Sequence, residues 1–221
     1  MTLFNQLAGN SRQLRGRDSD PYGSDTFDYS EENPFAFGGF DLFETQKALA
    51  AKMCQIAGVT TGSRVLEPSC GPGRIVHAAV ECGACVTAIE LQDNLMPHEL
   101  VTHPAVIATH GQNFLALKPD SIGGYFNAVI MNPPFSGGRD CKHIRHAWQF
   151  VARGGCLVAV ASKGVVFRND KLHTQFREWL ASVGGEIIDL PSRSFRESGT
   201  DVETVLVVIR DMSEEIILNE D

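Results

Sequence analysis

Residues 64–74 read Arg64-Val65-Leu66-Glu67-Pro68-Ser69-Cys70-Gly71-Pro72-Gly73-Arg74, and this stretch decides the fold. A short apolar strand runs into a turn bearing two glycines and then into a helical stretch, GRIVHAAVECG. Gly71 and Gly73 can adopt backbone angles closed to other residues and let a ligand approach the main chain. Without the GK[ST] ending the turn is no phosphate-cradling loop, and it is not the GxGxxG of dinucleotide binders. A glycine turn after a strand can also be a plain tight connection, so its meaning depends on its neighbours.

Outward from this turn the pattern repeats. Short apolar runs (CVTAIEL, AVIATHG, FNAVIM, CLVAVAS) alternate with helical stretches, among them HIRHAWQFVARGG and a helix from Asp170 to Val183. That alternation predicts an α/β fold with a mostly parallel sheet covered by helices on both faces. Seven strands are expected. The last two, EIIDLP and TVLVVIR, are joined without a helix, which predicts an antiparallel pair at one edge. On the N-terminal side, QKALAAKMCQIAGV reads as a helix with Leu49, Met53 and Ile56 at helical spacing. Residues 1–38 are polar, lack any sustained period and read as an irregular or conditionally ordered arm, residues 39–210 as one domain, and 211–221 as an acidic tail expected to fray.

The chain has 221 residues and a formal net charge of -8, an ordinary globular composition, no apolar run of membrane-spanning length and no signal-peptide pattern. A cytoplasmic protein is expected. The charge is uneven: residues 132–196 hold ten Lys/Arg against five Asp/Glu, while the flanking segments are acidic. The middle stretch is either a polyanion-facing surface or an ordinary solvated one. Six cysteines lie mostly in apolar segments and read as reduced. Cys82 and Cys85 form a CxxC without a second pair at zinc spacing, and His143 and His146, three apart on a predicted helix, read as surface histidines without a third ligand. No metal is expected.

Two further features carry chemistry. Glu90 ends the strand CVTAIEL, 17 residues beyond Gly73, where an acid can accept both ribose hydroxyls of an adenosine-type cofactor. Asn132-Pro133-Pro134-Phe135 follows the strand FNAVIM. Two prolines fix the backbone and remove two donors, leaving a rigid acceptor site. The Asn132 side-chain oxygen and the Pro133 carbonyl can each accept one hydrogen of an exocyclic amino group, with the nitrogen lone pair turned towards a methyl donor.

The order EPSCGPG, an acid ending the next strand, then NPPF about 60 residues beyond the glycine turn resembles the class I S-adenosyl-L-methionine (SAM)-dependent methyltransferases, in particular the adenine-N6 nucleic-acid enzymes with their [DNS]PP[YFW] motif. The resemblance covers roughly residues 40–210 and implies a Rossmann-like seven-stranded sheet with an antiparallel C-terminal edge strand. It implies that SAM is held by Thr45, Glu67, Pro68, Gly71, Gly73, Glu90, Asn113 and Phe114, with Phe43-Glu44-Thr45 over its methionine end. Asn113 departs from the family's usual Asp and lacks the anionic acceptor for the cofactor adenine; Phe114 packs either on that adenine or in the core. Asn132, Pro133, Pro134 and Phe135 would form the catalytic motif. Phe135 and Phe195 would sandwich the target base, Arg193 and Arg196 would hold phosphates, and an isolated Phe195 could equally plug the core.

The expected activity is methyl transfer to adenine N6, with DNA placed ahead of RNA as the partner. Guanine N2 in RNA and protein glutamine present the same planar amino group and stay open as targets. The chain has no room for a recognition domain of about 100 residues beside the catalytic one, so specificity is low, comes from the loop Gly137 to Lys142, or comes from a partner subunit. A methyltransferase-fold scaffold that has lost catalysis is the competing class.

Overall fold

The computed structural model describes residues 45–92, 95–190 and 203–213. In chain order the main elements are α1 (Lys47–Ile56), β1 (Arg64–Glu67), α2 (Arg74–Glu81), β2 (Cys85–Ile89), α3 (His98–Val101), β3 (Val106–Thr109), β4 (Phe126–Met131), α4 (Arg139–Ala147), β5 (Val151–Ser162), α5 (Gly164–Phe167), α6 (Lys171–Ser182), β6 (Glu186–Asp189) and β7 (Thr204–Arg210). The seven strands form one sheet in the order β3-β2-β1-β4-β5-β7-β6. β1 to β5 run parallel, and β7 is antiparallel to both β5 and β6. The predicted α/β architecture and antiparallel edge are both present.

Alternating residues of the central strands feed two cores. Ala128, Ile130, Val158, Val160, Leu206 and Val208 pack on one face with Ala50 and Met53 of α1 and Ile75 and Val76 of α2. Val129, Met131, Leu157, Ala159, Val205 and Val207 pack on the other with Ile144 of α4 and Phe176 and Trp179 of α6. Strands covered on both faces carry continuous apolar runs, which is why AVIM of β4 and CLVAVA of β5 show no polar alternation.

One boundary differs from expectation. The helix predicted over HIRHAWQFVARGG stops at Ala147, and after a short turn β5 begins at Val151. Its register slips between Phe126↔Val151 and Ala128↔Cys156, and the extra residues include Gly154 at φ 69° and Gly155. A Cβ on Gly155 would lie 2.9 Å from the Ala152 and Asn127 carbonyl oxygens, so the glycine pair serves a bulge within the sheet rather than a helix end.

No helix among the described residues is long and apolar enough to cross a membrane. The expected arm (1–38) and most of the acidic tail lie outside the described residues.

Candidate functional site

In an open parallel sheet the ligand crevice lies beyond the C-terminal strand ends where strand order reverses. Here that point falls between β1 and β4, paired at Val65↔Ala128 and Leu66↔Val129. β1 delivers the glycine turn to this crevice and β4 delivers Asn132-Pro133-Pro134-Phe135.

The turn is tied on both sides. Cys70 N–H donates to the Ile89 carbonyl at 3.0 Å, and Gly71 N–H donates to Glu90 Oε2 at 2.7 Å. Glu90 Oε1 accepts from Gln92 N–H at 2.8 Å, so this buried carboxylate links the glycine turn to the end of β2. Gly73 has φ 81° and caps α2; a Cβ there would fall 2.2 Å from Leu100 Cδ1. Two requirements therefore meet at Gly73, a left-handed backbone and the absence of a side chain.

Glu67, at the end of β1, is 2% exposed. Burial raises its carboxyl well above the usual range, the Val76 N–H at the start of α2 pulls it down, and the charge of Glu90 pushes it up further. Among the described residues its Oε2 has no hydrogen-bond partner. A buried carboxyl oxygen of this kind suits a cationic or donor group arriving from the crevice.

Asn132 stands one residue beyond β4 and donates from Nδ2 to Thr45 Oγ1 at 3.1 Å. Thr45 is itself 5% exposed, so two of the expected site residues meet in one part-buried contact. Pro133 is buried, and Phe135 is 8% exposed and packs into the α1/α2-side core.

No protein-family model matches the chain and no curated protein does. Solved structures do. One described as the modification subunit of a type I restriction enzyme from Vibrio vulnificus YJ016 superposes with a TM-score of 0.63 and 19% identity, over 80% of this chain and 46% of that one. A type I restriction-modification system methyltransferase subunit from Streptococcus thermophilus gives 0.63 and 20%, over 77% and 45%. The 23S rRNA methyltransferase ErmE gives 0.59 and 17%, over 78% and 71%. The chain has the fold of the SAM-dependent methyltransferases. It spans less than half the length of the two restriction-modification subunits.

Within this methyltransferase fold the remaining predicted residues divide. Asn113 follows β3, and its Oδ1 accepts from Leu115 N–H at 3.1 Å, capping the short helical turn 114–116. Phe114 is 2% exposed and belongs to the α4/α6-side core, with its ring centroid 4.8 Å from His146 and 5.1 Å from Phe150. Of its two expected places, the core is the one it occupies. Phe43, Glu44, Arg193, Phe195 and Arg196 lie outside the described residues.

His143 and His146 correct the expectation of surface histidines. Both are buried beneath α4, where desolvation lowers them to about 3 and about 4. His146 Nε2 lies 3.1 Å from the carbonyls of Phe114 and Leu117, which positions the chain following β3. Among the described residues no group of three or more His, Cys, Asp or Glu is placed to hold a metal.

Asp140 carries no motif or periodic signal in the sequence. This fully buried residue accepts from Ser162 N–H at 2.9 Å, Ser162 Oγ at 2.8 Å and Cys141 N–H at 3.0 Å. It fastens the start of α4 to the end of β5 and so braces the chain just after Phe135; desolvation raises its carboxyl and these bonds lower it. Only the folded register brings Asp140 and Ser162 together. A cavity of about 390 Å³ lined by Val59, Ser63, Asn127 and Gly154 lies at the opposite ends of the strands, away from the crevice.

Proposed function

We propose that the chain is a SAM-dependent methyltransferase that acts on an exocyclic amino group, with adenine N6 in DNA as the target. One observation carries the reading: Asn132 of the NPPF motif is held by Thr45 at the crevice where β1 brings the glycine turn beside β4.

The crevice residues fit SAM. The partnerless Glu67 Oε2 suits a cationic ligand, and Gly71, Gly73 and the Glu90 carboxylate line the approach that an adenosine-type group would take. When bound, SAM supplies an activated methyl group on a positively charged sulfur. The chain's own part is orientation and electrostatics. The Asn132 side-chain oxygen and the Pro133 carbonyl accept the two amino hydrogens, which turns the nitrogen lone pair out of conjugation and stabilises the positive charge growing on that nitrogen. Proline at 133 and 134 removes the competing backbone donors. No general base need act before transfer, since the proton is lost from an amino group that has become cationic.

Two similar structures are subunits of type I restriction-modification systems, which supports DNA as the substrate class and a separate partner that supplies recognition. A second reading, RNA as target, draws on the similarity to a 23S rRNA methyltransferase. Transfer of labelled methyl from SAM to duplex DNA, single-stranded DNA, ribosomal RNA and protein extract, followed by nucleoside mass spectrometry, separates these readings. N6-methyladenine in DNA is the expected product. N2-methylguanine or methylglutamine would move the target and keep the chemistry, whereas a chain that binds no SAM would be a scaffold.

A further inference from the structure

The chain leaving β5, Val166-Phe167-Arg168-Asn169-Asp170-Lys171, is exposed along its whole length. Phe167 is 64% exposed and Val166 is 45% exposed, while the preceding Val165 is fully buried in the α4/α6-side core. Phe167 is the one exposed aromatic side chain among the described residues. The core below is already filled by Phe176 and Trp179, so packing gives no reason for an aromatic at 167.

The segment's position and charge give one. β5 lies beside β4, so the segment emerges at the same sheet edge as the NPPF motif. Leu172 packs on Gly138, three residues past Phe135, where an added Cβ would lie 2.3 Å from Leu172 Cδ2. On the other side Lys163 N–H donates to the Glu203 carbonyl at 2.8 Å, with an ion pair at 3.3 Å, which places the segment next to the start of β7. Arg177 Nη1 donates to the carbonyls of Val165 at 3.1 Å and Arg168 at 2.7 Å, fixing the backbone. The Asp170 carboxylate is tied back to His173 through its N–H and Nδ1, which leaves Arg168 and Lys171 as two exposed cations against one exposed carboxylate on the segment.

We infer that Val166–Lys171 is a nucleic-acid contact surface, in which Phe167 stacks on a base flanking the target while Arg168 and Lys171 meet phosphates. This rests on the nucleic-acid reading above and adds to it a surface outside the methyl-transfer site. An exposed ring followed by two cations on one short segment is the chemistry of a strand-binding platform, sequence-tolerant because every base offers a flat face.

The test uses the full chain and fluorescently labelled single-stranded and duplex oligonucleotides, with binding followed by anisotropy over a salt series. Phe167→Ala is expected to weaken binding about tenfold and Phe167→Trp to preserve it, with tryptophan emission quenched on binding. Arg168→Ala with Lys171→Ala is expected to lower the salt slope by about two phosphate contacts. SAM affinity and Tm should stay at wild-type values in every variant, which separates lost contact from lost folding. Wild-type binding by Phe167→Ala, in a protein that still methylates nucleic acid, overturns the inference and leaves the proposed function standing. A wild-type chain that binds SAM but no nucleic acid overturns both. A change in self-association with nucleic-acid binding intact assigns this face to a second copy and also overturns the inference.

Discussion

Thr45 Oγ1 accepts a hydrogen bond of 3.1 Å from Asn132 Nδ2 across 87 residues of sequence. An amide has two ends, and fixing the nitrogen end fixes where the oxygen points. Thr45→Val keeps the shape and loses the acceptor. It should lower kcat about tenfold with SAM affinity changed only a few-fold, whereas Thr45→Ser restores kcat. Asn132→Ala should abolish nearly all transfer while binding SAM within a few-fold of wild type, and a fully active Asn132→Ala would sink the mechanism. Single-turnover rates with SAM titrations measure both.

Glu67 makes a pH-dependent contribution of defined sign. Its folded carboxyl is held well above the ordinary 4.5, chiefly by burial. Such a group favours the folded state below its unfolded value, and that contribution is lost as pH rises through the folded value. Glu67→Gln keeps the shape without the charge. Its Tm should exceed wild type at about pH 8, by roughly 2–4 °C per kcal/mol of desolvation relieved, with the gap closing towards about pH 5. The same variant should bind SAM about tenfold more weakly at about pH 8, because a cationic ligand favours the ionised carboxyl. Thermal melts and calorimetric titrations at both pH values decide it, and a variant that melts with wild type at both would show that burial does not raise this carboxyl.

Glu90 has a double duty. Both its oxygens hold backbone N–H groups of the crevice, Gly71 at one and Gln92 at the other. Glu90→Gln retains one acceptor oxygen, so the turn should persist while SAM affinity falls about 10- to 100-fold through lost charge-assisted bonding. Glu90→Ala should in addition leave two donors without their partner and cost about 1–3 kcal/mol of stability per group that stays buried. Comparing SAM Kd with the denaturant midpoint separates the two roles.

Gly73 admits no side chain. Gly73→Ala faces both a φ of 81° and a Leu100 Cδ1 at 2.2 Å. A loss of about 1–3 kcal/mol is expected, and shortening Leu100 to Ala in the same chain should recover only the steric part, since the backbone strain persists. Denaturant melts of the single and double variants test this.

The layout of the sheet was legible because buried parallel strands write continuous apolar runs, and Val65-Leu66 and FNAVIM do so plainly. The end of α4 was not: the helical pattern of HIRHAWQF runs on into VARGG, and only the sheet's need for a bulge at Gly154 and Gly155 shows why β5 starts so early. The burial of His143 and His146 is hidden in the sequence for a related reason, since α4 is flanked by β5, α6 and the turn after β3, which cover more of its circumference than its polar sequence suggests. The Thr45–Asn132 and Asp140–Ser162 contacts join distant residues and leave no periodic trace. Phe167 carries no local signature either, because an apolar residue after a buried strand reads as more core.

The pairing of Asp189 with Val205 sets the two ends of residues 191–202 side by side on neighbouring strands. Whatever length of chain runs between them, β6 and β7 stay paired, and doubling that length costs only about 0.6 kcal/mol of closure entropy. Selection can therefore rewrite, lengthen or exchange this stretch without altering the strands that carry Asn132 and Glu90. The architecture separates what the sheet must keep from what the chain can vary.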